Sequence, residues 1–150
     1  MTEEFRVASL DEVFSFPGYA DWEREYGEEC GDPVLGQPNV QYELLKELSK
    51  NGDLKCVVML ADGQLAGCAA VRFTRSSHYD APFASSEAMY LRAPWRKGGN
   101  GLRLLRMLGR VAIDGGARGV VFSPPAGSTF SKLLSRLGMK HTHDVYWYAC

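Results

Sequence analysis

The clearest pattern along the chain is a pair of apolar, partly β-branched runs, residues 55–60 and 65–73, separated by Asp62-Gly63. An Asp-Gly pair between two such runs predicts a two-residue β-hairpin. A polar loop follows at 76–82, then a third strand from about Ser86 to Arg92, ended by Pro94. The glycine-rich turn Lys97-Gly98-Gly99-Asn100-Gly101 leads into a segment with Leu102, Leu105, Leu108, Val111 and Ala112 at helical spacing. Asp114-Gly115-Gly116 stops that helix. Residues 119–123 read as a short buried strand. Ser128 caps a helix running to Leu137, Gly138 ends it, and 145–148 read as a last strand.

The N-terminal third is patterned more weakly. Residues 5–8 fit a short strand, Asp11 opens a helical stretch that Pro17-Gly18 interrupts, and 19–26 read as helix again. Residues 30–38 carry several breakers and read as a loop. Residues 40–50, with Leu44, Leu45 and Leu48 on one side, read as an amphipathic helix ending at Asn51-Gly52. The order β, helices, β-β-β, α, β, α, β implies one α/β domain over residues 1–150, a sandwich around a single sheet.

Composition narrows the class. With 45% hydrophobic and 23% charged residues the chain reads as soluble and globular. No apolar run reaches the roughly 18 residues of a membrane helix, and Thr2-Glu3-Glu4 does not open a signal peptide. The cysteines Cys30, Cys56, Cys68 and Cys150 form no CxxC pair, so a reducing, cytoplasmic setting is expected. Residues 1–53 hold 13 acidic and 4 basic side chains, whereas 54–150 hold 5 and 13. A basic half suits an anionic ligand and an acidic half a cationic one; two solvated faces would look the same. A nucleic-acid reading lacks support, because the net charge is −1 and no stacking-aromatic motif accompanies the arginines.

A strand entering a glycine-rich turn and then a helix exposes main-chain N–H groups at the positive end of the helix dipole, a geometry that binds phosphate. A GxxxxGK[ST] loop is excluded because no Lys-Ser or Lys-Thr follows these glycines. A dinucleotide fingerprint is excluded because Leu104 stands where its third glycine belongs and the next strand ends without an acid. A third pattern, [R/Q]-x-x-G-x-[G/A], is matched by Arg96-Lys97-Gly98-Gly99-Asn100-Gly101. Here the chain resembles the GCN5-related N-acetyltransferase (GNAT) family. The resemblance extends to the following helix, the Gly-Ala-Arg-Gly turn, the strand and the Leu137-Gly138-Met139-Lys140 ending, and covers residues 54–150 well. The wording of the loop and last helix, with Pro124-Pro125, looks most like small members encoded by tailed phages.

The resemblance implies a GNAT fold, with a mixed, mostly antiparallel sheet flanked by helices. It also implies acetyl-CoA as cofactor, an amine of a small molecule or protein as acceptor, and no metal. Met89, Tyr90 and Leu91 match the strand whose backbone holds the pantetheine arm. The amides of Lys97, Gly98, Gly99, Asn100, Gly101 and Leu102 match the pyrophosphate cradle, with Arg96 and Lys97 adding charge. Among Arg103, Arg106 and Arg110, one would meet the 3′-phosphate, or the row is a solvated face. Amine attack on a thioester needs a base, because an ordinary amine is protonated at neutral pH. Glu87 is the only carboxylate on the strand leading to the loop. It reads either as that base, helped by an apolar setting that raises its pKa, or as an edge carboxylate.

Two family features are missing: the general-acid tyrosine position is Leu134, and the asparagine position falls near Gly127. Ser131, Ser135 and Tyr146 are substitutes among which the sequence does not choose. His78 is a second base candidate near the substrate entrance. His141 and His143 read as exposed hairpin residues rather than metal ligands. Trp95, Trp147 and Tyr148 read as packing groups. The acidic residues Asp21, Glu23, Glu25, Glu28 and Glu29 would line the acceptor side and favour a cation. The other functional class is a weak or inactive GNAT-fold module that binds CoA and docks on another protein, for instance a host protein. The oligomeric state is left open.

Overall fold

The computed structural model describes residues 1–148. Ten elements follow one another: β1 (Glu3–Ala8), α1 (Leu10–Ser15), α2 (Tyr19–Glu29), α3 (Tyr42–Lys50), β2 (Leu54–Ala61), β3 (Gln64–Ser76), β4 (Ala81–Leu91), α4 (Asn100–Asp114), β5 (Val120–Val121) and α5 (Thr129–Arg136). A 3-10 turn at Ala93–Trp95 precedes α4. The strands form one sheet in the order β1-β2-β3-β4-β5, antiparallel except for the parallel β4–β5 pair. The expected mixed, mostly antiparallel sheet is therefore present.

Alternation along β2 sets up two cores. Cys56, Val58 and Leu60 face α1, α2 and α3, where they pack with Leu10, Val13, Trp22, Cys68 and Tyr90. Val57 faces the other side and packs with Ala69, Val71, Leu104, Leu108 and Ala112 under α4. With both faces covered, β2 and β3 read as nearly continuous apolar runs, which is how the sequence announced them. Their hairpin turns through Asp62 (φ 49°) and Gly63 (φ 77°), both left-handed, matching the right-handed twist of the strands it joins.

Several expectations change. The loop before β4 shrinks to a turn at 77–80, so β4 starts at Ala81 rather than Ser86, and His78 sits at the far end of the strand from the glycine turn. In α3, Leu45 and Leu48 pack on the core, whereas Leu44 is exposed. The expected buried strand at 119–123 contracts to two residues, one of them exposed.

The expected last strand does not form. Residues 145–148 lack regular structure, with Tyr146 87% and Trp147 60% exposed, so neither Trp147 nor Tyr148 is a packing group. A strand needs a neighbour to satisfy its main chain, and two residues of β5 offer too short an edge. His141 and His143 consequently share no strand face. His141 meets Asp144 at 3.1 Å, and His143 meets Thr142 at 2.9 Å.

Close packing fixes the end of α4 against the sheet. A Cβ on Gly115 would lie 2.5 Å from Cε1 and 2.6 Å from Cζ of Phe73. Gly115→Ala is expected to cost about 1–3 kcal/mol through overpacking. Urea denaturation should show a lower midpoint at unchanged slope, and an unmoved midpoint would mean that the Phe73 ring yields freely.

Candidate active site

The site begins with a register change in β4. Ala88 pairs with Ala70 and Ser86 with Val71, which leaves Glu87 as the extra residue of a bulge. A bulge shifts the strand's parity, and the neighbours change with it. Before it, Ala84 donates its N–H to the Gly119 carbonyl, and β4 pairs with β5 through Ala84 and Ser85. After it, Arg92 donates to the Ala66 carbonyl of the opposite neighbour. Main-chain groups alternate sides along a strand, so Met89 and Leu91 point theirs away from β3 toward the open edge. From Ser86 to Leu91 that edge has no strand beside it among the described residues.

This open edge runs into the glycine turn. Gly98 (φ 61°) and Gly99 (φ 78°) are both left-handed, and nothing lies within 4 Å of where their Cβ atoms would be. Gly99 caps α4 without a side-chain hydrogen bond. Three N–H groups of the segment are used internally: Arg96 to Ala93 O, Asn100 to Lys97 O and Arg103 to Gly99 O. The N–H groups of Lys97, Gly98, Gly99, Gly101 and Leu102 meet no acceptor among the described residues. These donors at the positive end of a 15-residue helix suit a diphosphate.

Two groups expected in the cradle are occupied otherwise: the Asn100 N–H, which donates to Lys97 O, and the Arg96 side chain. The Asn100 side chain is buried and donates to Glu3 Oε1 at 3.2 Å and to the Trp95 carbonyl at 3.3 Å. The Arg96 side chain turns back toward helix α2, donating through Nε to Leu91 O at 2.7 Å and lying 2.6 Å from Glu29 Oε2. Lys97 stays exposed at the turn. Arg103 stacks over the Phe5 ring at 4.1 Å and lies 3.7 Å from Glu3, while Arg106 and Arg110 are exposed.

Glu87 is exposed and meets no hydrogen-bonding or ionic partner among the described residues, so the apolar enclosure expected around it is absent. Burial chiefly, then the charges of Cys30 and Glu87, push the Tyr26 phenol above its ordinary value. Tyr26 belongs to an aromatic wall in which Trp22 stacks on it at 5.3 Å and Tyr90 meets it edge-on at 5.8 Å. Leu134, at the position of the family tyrosine, is buried at 8% exposure.

The acidic residues of α2 are largely committed within the protein. Glu25 takes a two-pronged contact from Arg92, at 3.0 and 2.8 Å. Glu29 holds Arg96 and the Tyr90 hydroxyl, the latter at 2.5 Å. Asp21 and Glu28 pair with Arg24, and Glu23 accepts from Tyr19 and Tyr42. Sequence reasoning missed these contacts. Their trace is two carboxylates four apart on a helix and two arginines four apart beyond β4, but nothing in the sequence joins partners 67 residues distant.

No family model matches the chain, and no curated protein does. Solved structures do. An aminoglycoside acetyltransferase, HMB0005, from an uncultured soil metagenomic sample superimposes with a TM-score of 0.76 at 14% identity, covering 100% of this chain and 99% of that one. The aminoglycoside acetyltransferase AAC(6')-Iy, in complex with a bisubstrate analogue of CoA and acetylneamine, gives 0.73 at 17% identity, with 100% and 99% covered. A ribosomal-protein-alanine N-acetyltransferase from Brucella melitensis biovar Abortus 2308 gives 0.67 at 13% identity, with 99% and 98% covered. At these identities the likeness establishes the fold, which is that of the GNAT acetyltransferases.

The α2–β4 contacts carry a pH signature. Glu25 is held below the ordinary carboxylate range chiefly by hydrogen bonds from Arg92, and Glu29 chiefly by the Tyr90 hydroxyl, then by Arg96. A depressed folded pKa stabilises above the ordinary carboxylate range and is lost as pH falls through that range toward the folded value. Arg92→Gln should therefore flatten the decline of denaturation midpoint on acidification. Parallel wild-type and variant curves would show that the pair adds nothing to folding.

Proposed function

We propose that the protein is an acetyl-CoA-dependent N-acetyltransferase acting on an amine. The observation that carries this reading is the junction of two unsatisfied main-chain surfaces, the open edge of β4 at Met89 and the five free N–H groups at the start of α4. An extended amide-containing arm ending in a diphosphate is complementary to both at once. Acetyl-CoA, whose CoA moiety AAC(6')-Iy binds, has that form and supplies a thioester-activated acetyl group.

In this reading the amides of Lys97, Gly98, Gly99, Gly101 and Leu102 hold the diphosphate, while Asn100 supports the turn from beneath through Glu3 and Trp95. The Met89 N–H and carbonyl align the arm along the strand. In this reading the bulge presents Glu87 to the acceptor, and its charge is felt at Tyr26 in the aromatic wall of α2. Glu87 takes the proton released by the attacking amine, directly or through one water, since an exposed carboxylate remains in exchange with solvent. The departing thiolate draws its proton from solvent. Leu134 has no proton to give, and a thiol is acidic enough to leave without a dedicated acid.

The acceptor side carries fewer free charges than the composition implied, because Glu25 and Glu29 already neutralise Arg92 and Arg96. Glu87 is an exposed anion with no ionic partner among the described residues and so is free to attract an ammonium group. Small amines such as the aminoglycosides named for the neighbours, or a protein amine as in the ribosomal-protein enzyme, both fit this chemistry. The narrower likeness to phage-encoded members rests on the wording of the loop, the last helix and Pro124-Pro125 alone.

Two measurements test the proposal. Isothermal titration should show a 1:1 complex with acetyl-CoA that Gly99→Val weakens at least about tenfold, because a β-branched residue is strained at positive φ. Free-thiol release across a panel of amines should identify an acceptor, and Glu87→Gln should then lower kcat about 100-fold with the KM for acetyl-CoA unchanged. Wild-type protein without affinity for acetyl-CoA would overturn the function. Unaltered kcat in Glu87→Gln would remove the base.

A further inference from the structure

An arginine opening a phosphate-shaped turn invites the view that its guanidinium meets the anion. The geometry assigns Arg96 another task. Its Nε donates to Leu91 O at 2.7 Å, its Nη2 lies 2.6 Å from Glu29 Oε2, and its guanidinium carbon stands 5.1 Å from the centroid of the Tyr90 ring. The second oxygen of Glu29 accepts the Tyr90 hydroxyl at 2.5 Å. Glu29 is the last residue of α2, Leu91 the last of β4, and Arg96 the first of the turn. One carboxylate thus ties together the helix, the strand end and the loop. Arg96 also satisfies the Leu91 carbonyl, which otherwise would direct a bare acceptor at the open edge.

We propose that Glu29 is a positioning residue for the nucleotide. It holds Arg96 away from the phosphates and onto Leu91, and so keeps the turn in the shape that points its free N–H groups at one place. The inference rests on the reading that this turn holds the diphosphate of acetyl-CoA. It makes a prediction opposite in sign to simple electrostatics. Glu29 carries negative charge beside an anion site, so by charge alone its removal should tighten an anion. As an anchor, its removal should loosen the turn and weaken the anion.

The test is isothermal titration of CoA into the wild type, Glu29→Ala, Arg96→Ala and the double variant, with melting curves of the apo proteins. The anchoring role predicts that each single variant binds CoA about fivefold more weakly and the double variant no worse than either, because both break the same contact. Glu29→Gln keeps a side-chain carbonyl for Arg96, and it should restore most of the affinity. Tighter binding by Glu29→Ala, or strictly additive losses, would overturn the proposal and make Arg96 a direct phosphate ligand. Should Glu29→Ala not fold, Glu29→Gln decides alone: affinity near the wild type supports anchoring, and tighter binding overturns it. A wild type that fails to bind CoA would instead sink the functional reading, and this inference with it.

Discussion

Strand β4 is hydrogen-bonded along its whole length on one side and only at Ala84 and Ser85 on the other. That imbalance is the constraint around which this corner is organised. A strand in the middle of a sheet with half of one edge unsatisfied must be covered by solvent, by side chains or by a ligand. The protein uses the second device sparingly. Arg96 covers the Leu91 carbonyl at 2.7 Å. The edge at Met89 stays open, next to a helix start whose N–H groups are equally unspent.

The bulge at Glu87 connects this backbone feature to chemistry. One extra residue changes which main-chain groups face the gap, and it also turns a carboxylate outward at the mouth of that gap. The same insertion therefore sets up the open edge and places the candidate base. Helix α2 closes the corner through Trp22, Tyr26 and two carboxylate–arginine contacts. Two of its five carboxylates are spent on Arg92 and Arg96.

Local signals made much of this legible beforehand. The Asp62-Gly63 turn, the apolar runs around it and the helical spacing from Leu105 to Ala112 each depend on neighbours within one element, and each appears in the structure. So does the glycine turn, since left-handed backbone at Gly98 and Gly99 is a local demand. Failures cluster where an element depends on a distant partner. The strand expected at 145–148 has the right residue types but no edge to pair with, and β5 contracts to two residues.

For the candidate site the division is similar. Arg96 and Asn100 are singled out by type and position, but their partners are not. Asn100 reaches Glu3 across 97 residues, and Arg96 reaches Glu29 across 67. By itself the sequence determined the periods, the turns and therefore the order of elements, because these follow from steric and burial preferences of adjacent residues. The tertiary structure alone decided which charges are spent on each other and which main-chain donors remain free. Those outcomes depend on where the sheet carries residues far apart in the chain.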